Sequence, residues 1–157
     1  MIFMSLKYRY LNHTADIEYV AYGNNKRSLF ANALYGMFNV IADIKKISIL
    51  VKSKNKNKLI LHSKKLKIRE ASSNLEELLW RVLQDALSLS DADQLFFYDV
   101  KNIKIIRKKN IFYFDALLFG LNKFEKVSKF DVKGVSMQGM KIKKIKDRLI
   151  VHVILDV

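Results

Sequence analysis

The sequence predicts a single α+β domain over residues 1–157, with two amphipathic helices packed on one face of a mainly antiparallel β-sheet. Two stretches carry apolar residues at helical spacing, and most of the remaining chain is short β-branched or aromatic segments punctuated by Asn, Gly, Asp or Lys. The helical stretches are amphipathic, so each needs one sheet face to cover. No internal repeat, proline or linker-like segment divides the 157 residues, and one domain of that size buries about 70% of its unfolded surface.

Taken in order, Tyr8 to Leu11 and Ile17 to Tyr22 read as two strands around a polar Asn-His-Thr-Ala-Asp interruption. Gly23-Asn-Asn25 is a turn, with Asn25 suited to N-cap the first helix. Phe30, Ala33, Leu34, Met37, Phe38 and Ile41 then fall on one helical stripe and are read as core. The helix is expected to end around Ala42-Asp43. Asp43 then sits at the negative end of the helix dipole, where a further carboxylate is unfavourable, and either a compensating cation or a solvated loop accounts for it.

Ile47 to Val51 and Leu59 to Ile68 are expected strands, separated by the basic run Lys52-Ser-Lys-Asn-Lys-Asn-Lys58, which reads as an exposed hairpin tip with no aromatic interleaved for base stacking. Ser73-Asn-Leu-Glu76 has the capping-box form, ahead of a second stripe at Leu75, Leu78, Leu79, Val82, Leu83 and Ala86. Asp91-Ala-Asp93 reads as a polar helix exit, since the other ligand positions of an EF-hand loop are missing. Leu95 to Tyr98, Ile103 to Arg107, Ile111 to Phe119, Val132 to Ile142 and Leu149 to Val157 complete the expected strands.

Charge and composition narrow the function classes. With 29 Lys and Arg against 15 Asp and Glu the formal net charge is +14, a field that favours anionic partners such as RNA or tRNA. The plainer account is a solvated basic surface. The chain has no cysteine, which excludes disulfides, zinc-thiolate sites and thiol nucleophiles. His13, His62 and His152 lack the spacing of imidazole metal sites, and no P-loop, dinucleotide fingerprint or nucleophile elbow is present. Met1-Ile-Phe-Met4 is too short for a signal h-region and no apolar run approaches a membrane span of about 20 residues. A soluble, cytoplasmic protein with no membrane attachment is expected.

The carboxylates are the remaining chemistry. Asp16 follows the first strand, and Asp156 lies beside Val157 at the end of a branched apolar run. Alternation puts Leu149, Val151, Val153, Leu155 and Val157 on a core face, and Ile150, His152, Ile154 and Asp156 on the other. If the fold joins the two places, Asp16, Asp156 and the carboxylate of Val157 share one small volume, the kind of oxygen cluster that holds a hard divalent cation. Taken alone, Asp156 reads more simply as a frayed polar end. His13 and Thr14 are expected to orient the Asp16 loop through side-chain to backbone hydrogen bonds.

Leu11-Asn-His-Thr-Ala-Asp-Ile17, Ala21-Tyr-Gly23 before a helix, Val132-Lys-Gly-Val-Ser-Met-Gln-Gly-Met-Lys-Ile142 and Val151-His-Val-Ile-Leu-Asp-Val157 together resemble the archease family. Archeases are small protein cofactors of the tRNA-splicing RNA ligase that joins 3'-phosphate or cyclic-phosphate ends to 5'-hydroxyl ends. The resemblance implies an activator with no catalytic residue of its own, which promotes guanylation and multiple turnover of that ligase. It implies a divalent cation, calcium first with magnesium or manganese as alternatives, held by Asp16, Asp156 and Val157, with Asp43 a further candidate for the acidic tip.

The chain departs from the family pattern at Ser136-Met137-Gln138, at Glu18 and in its basic charge. A basic RNA-binding or chaperone-like module assisting tRNA-modification enzymes is the second expectation. A hydrolase using Asp16, Asp43 and Asp156 is the third.

Overall fold

The structure, a computed structural model, describes residues 6–11, 15–53 and 63–157. Its last strand, β8 (Arg148–Asp156), is paired along both edges. On one side it takes β2 (Ile17–Gly23), antiparallel, from Ile17 opposite Leu155 to Gly23 opposite Leu149, and β2 takes β1 (Tyr8–Leu11). On the other side, β7 (Ile142–Ile145) pairs with the first half of β8 and the short β6 (Gly134–Val135) with its end. A separate antiparallel sheet has the order β3 (Lys64–Ser72), β5 (Ile111–Asn122), β4 (Leu95–Lys108).

Helix α1 (Lys26–Ile41) lies between the two sheets. Asn25 caps it, accepting from the Ser28 N–H at 2.8 Å. Its predicted stripe is buried, and Leu29, Gly36 and Val40 are buried as well, because a second face also meets a sheet. Toward the first sheet, the Tyr19 and Tyr10 hydroxyls donate to the Ala33 and Gly36 carbonyls at 2.6 and 2.8 Å. Toward the second, Phe30 stacks on Phe114 and Phe38 packs against Phe97, with ring centroids 5.6 and 5.7 Å apart. The second predicted helix is α3 (Leu75–Asp93), and it covers β3. Its cap is Asn74 and not Ser73: the Asn74 side chain reaches the Glu77 N–H at 2.9 Å, one residue later than expected.

The α+β class, the single unit and the mainly antiparallel pairing match expectation, while three elements differ. Ile47 to Val51, expected as a strand, belongs to a third helix, α2 (Ile44–Lys52), started by Asp43. Ile44, Ile47 and Val51 line its inner side at helical spacing, and that period outweighs the β-branched composition. The strand expected over Val132 to Ile142 is broken into β6, a turn at Gly139 with φ +74°, and β7, since both must share one edge of β8. Leu95 to Tyr98 and Ile103 to Arg107 fuse into β4, whose interruption consists of two register shifts, between Phe97 and Asp99 and between Lys101 and Lys104. Residues 54–62, which hold most of the basic run, the start of the expected Leu59 to Ile68 strand and His62, lie outside the described residues.

Two expectations test this packing. A Cβ on Gly36 would stand 2.4 Å from the fully buried Tyr19 ring. Gly36→Ala should therefore destabilise the protein by about 1–3 kcal/mol in chemical denaturation, although alanine is the better helix former.

On the other side of α3, burial and then the adjacent Asp85 raise the Glu70 carboxyl above its ordinary range. A raised carboxyl favours the fold below its unfolded pKa and weakens it as pH rises through the folded value. Asp85→Asn should raise Tm at about pH 7 and lose that advantage toward about pH 4 in melts across the range.

Candidate functional site

The β2–β8 register carries the two predicted aspartates together. The last pair of the ladder is Ile17 opposite Leu155, and Asp16 and Asp156 each lie one residue beyond it, on the face turned away from the core. Both line an open cleft of about 720 Å³ with Glu18, Ser136, Gln138 and His152. Tyr19, Ala21, Val151, Val153 and Leu155 occupy the buried face behind it.

The far wall is pinned from α3. The Trp80 indole N–H donates to the Val135 carbonyl at 2.7 Å, and the Gln84 carbonyl oxygen accepts the Val135 N–H at 3.1 Å. The main chain of the cleft is closed by Lys133 N–H to Asp156 C=O at 2.7 Å and Ser136 N–H to Ile154 C=O at 2.9 Å. Ser136 Oγ accepts the Gln138 N–H at 3.1 Å and fixes the turn.

Two residues not assigned to the site stand in it. The Glu18 carboxylate and His152 Nε2 lie 3.3 Å apart, joined diagonally across the two strands. The signal for them was strand parity: Glu18 shares a face with Asp16, and His152 with Asp156. Val157 is not a lining residue and is partly buried, its side chain packed against the core. His13 and Thr14 lie outside the described residues.

Asp43 lines a different depression, with Tyr35, Asn39 and Lys129. It N-caps α2, where Oδ1 accepts the Lys46 N–H at 3.1 Å and a carboxylate is favourable. This explains its position with neither a compensating cation nor a solvated loop. The stretch after β5 links the two depressions: the Lys129 N–H donates to Ile41 C=O at 2.9 Å, and four residues on the Lys133 N–H meets Asp156.

Asp16 and Asp156 suit a hard, oxygen-seeking cation, and with few nitrogen and no sulfur donors the cleft does not suit zinc. Among the described residues no three Asp, Glu, His or Cys side chains converge closely enough to hold a metal by themselves. The remaining oxygens of a six- to eight-coordinate ion have to come from outside this side-chain set. Removing the cap separates the structural role of Asp43 from that of the cleft. Asp43→Ala should cost about 1 kcal/mol in denaturation and speed amide exchange at the start of α2.

The model of the Archease protein family matches residues 8–157. The chain is 29% identical over 153 residues to the protein archease of Methanosarcina acetivorans, covering 96% of each. It superposes on the solution structure of Methanobacterium thermoautotrophicum protein 1598 with a TM-score of 0.75 at 23% identity, over 96% of this chain and 99% of that one. The crystal structure of a Thermotoga maritima archease, described as a "possible chaperone", gives a TM-score of 0.54 at 17% identity over 94% of both chains. At these identities the two structures speak for the fold. Among the described residues no helix is long and apolar enough to cross a membrane.

Proposed function

This chain belongs to the archease family, and on that premise we propose that it is a non-catalytic protein cofactor that activates an RNA ligase of the tRNA-splicing type, acting in the cytoplasm. The observation that carries the reading is the presence of Asp16 and Asp156 at one cleft, two carboxylates together on a chain whose formal net charge is +14. A surface dominated by lysine does not need acidic residues gathered at one strand end. Presented together, they make a local negative point on a positive molecule, and this is suited to delivering a divalent cation to a phosphate-handling partner.

Asp16 and Asp156 would hold that cation, calcium or else magnesium or manganese, with Val157, the next residue, as the third position the family resemblance implies. When bound, the ion supplies charge neutralisation for the phosphates of GTP. The chain's own residues position it. The β2–β8 ladder fixes the spacing of the carboxylates, while Trp80 and Gln84 hold the opposing wall through Val135. Glu18 and His152 form the polar floor beside them. No side chain in this arrangement needs to act as nucleophile, so loading of the ligase with guanylate remains the ligase's own chemistry. The "possible chaperone" wording for the Thermotoga relative supports the broader reading of a protein that assists another.

The test uses two single variants, Asp16→Ala and Asp156→Ala. Each should weaken calcium binding at least about tenfold in calorimetric titration, the loss of one good charged ligand being worth about 1.4 kcal/mol or more. Each should also abolish stimulation of ligase guanylation while melting like the parent. Stimulation at the parental level by both variants overturns the proposal.

A further inference from the structure

The outer face of the three-stranded sheet is cationic and carries an exposed aromatic ring on its middle strand. The pairing of β3 and β4 with β5 puts Lys65, Lys67 and Arg69, then Tyr113 and Asp115, then Lys104, Ile106 and Lys108 on the face away from the core. Burial follows the same parity: these lysines and Arg69 are exposed, whereas the alternating Ile68, Phe114, Ala116 and Leu118 are buried.

Arg69 and Asp115 neutralise each other at 2.8 Å. Among the described residues, Lys65, Lys67, Lys104 and Lys108 make no ion pair. At the second β4 register shift, Lys67, Arg69, Lys104 and, from α1, Arg27 surround a depression of about 600 Å³ beside Asn102. Tyr113 pairs across the strands with Ile106, and the two are 43% and 47% exposed.

Lysines alone describe a solvated face, and the Tyr113–Ile106 pair is what such a face lacks. A flat ring beside an apolar side chain, flanked along β4 by Lys104 and Lys108, which make no ion pair among the described residues, is how single strands are bound without sequence readout: bases stack on the ring and phosphates take the charges. An acidic protein would satisfy the lysines but leave the ring unused. In a duplex the bases are already stacked.

We propose that this face binds single-stranded nucleic acid, with Tyr113 stacking on a base and Lys65, Lys67, Lys104 and Lys108 taking phosphates. It is built on the other sheet from the carboxylate cleft and stands independently of the activator reading.

The probe is a fluorescein-labelled oligouridine twelve-mer, followed by anisotropy across potassium chloride concentrations. Four phosphate contacts give a slope of log affinity against log salt of about −3 for a single strand, and Lys67→Ala with Lys104→Ala should flatten it to about −1.5. Tyr113→Ala should weaken binding about tenfold with the slope unchanged, and Tyr113→Phe should retain it. Lys143→Ala with Lys146→Ala, exposed positions at the β7–β8 hairpin, removes equal charge and should leave binding as it was.

Equal weakening by the two lysine pairs overturns the proposal, reducing it to net charge. Parental binding by Tyr113→Ala overturns it too. So does displacement of the probe by polyglutamate as effectively as by unlabelled oligouridine, which would mark an acidic-protein surface instead.

Discussion

The antiparallel pairing of β2 with β8 is the constraint on which the rest of the molecule depends. It joins residues more than 120 positions apart in sequence and sets both faces at once: Tyr19, Ala21, Val151, Val153 and Leu155 inward, Asp16, Glu18, His152 and Asp156 outward. A slip of one residue would turn every inward side chain to the solvent. The hydrophobic face therefore enforces the geometry of the polar one, and the carboxylates are held by the core behind them. On its other edge β8 is also held at both ends, by β7 over Arg148 to Val151 and by β6 at Leu155 and Asp156, which further fixes its register.

Helix α1 makes the two sheets one body. Its close approach to the first sheet depends on the absence of a side chain at Gly36, where the Tyr19 ring lies, and on two tyrosine hydroxyls that meet helix carbonyls. Its approach to the second uses aromatic stacking through Phe30 and Phe38. Tyr35, on a third side, donates to an Asp99 carboxylate oxygen at 2.6 Å and ties the helix to the edge of β4. The burial of its hydroxyl, reinforced by Asp99, raises the phenol above its ordinary pKa.

How much of this was legible follows from which patterns are local. The two long helices, the Asn25 cap and the faces of the last strand were readable because period and parity are properties of consecutive residues. Ile47 to Val51 misled because Ile and Val favour strands in general, while the deciding facts were an N-capping Asp43 and a core waiting on one side. Val132 to Ile142 misled because one strand edge is shared by two short partners, which no feature of the segment itself announces. Asp16 and Asp156 were singled out through a family resemblance, and the fold brings both to one cleft. Glu18 and His152 were missed, although parity alone places them once Ile17 is known to face Leu155. Cross-strand register is the information a single sequence withholds.

Charge in this molecule is separated by layer. Carboxylates and lysines scattered on one surface would neutralise one another, as Arg69 and Asp115 do. Here the carboxylates of the cleft belong to the outer face of one sheet and the four unpaired lysines to the outer face of the other, with α1 wedged between. A helix about 10 Å across plus its packing distance separates the faces by more than the screening length of about 8 Å at physiological salt. On the two proposals made above, each face would then act on its own partner: the acidic cleft would attract a cation that the net charge of +14 would otherwise repel, and the basic sheet would draw an anion without competing for it. Layered architecture, more than composition, is what lets a strongly basic chain keep an acidic site.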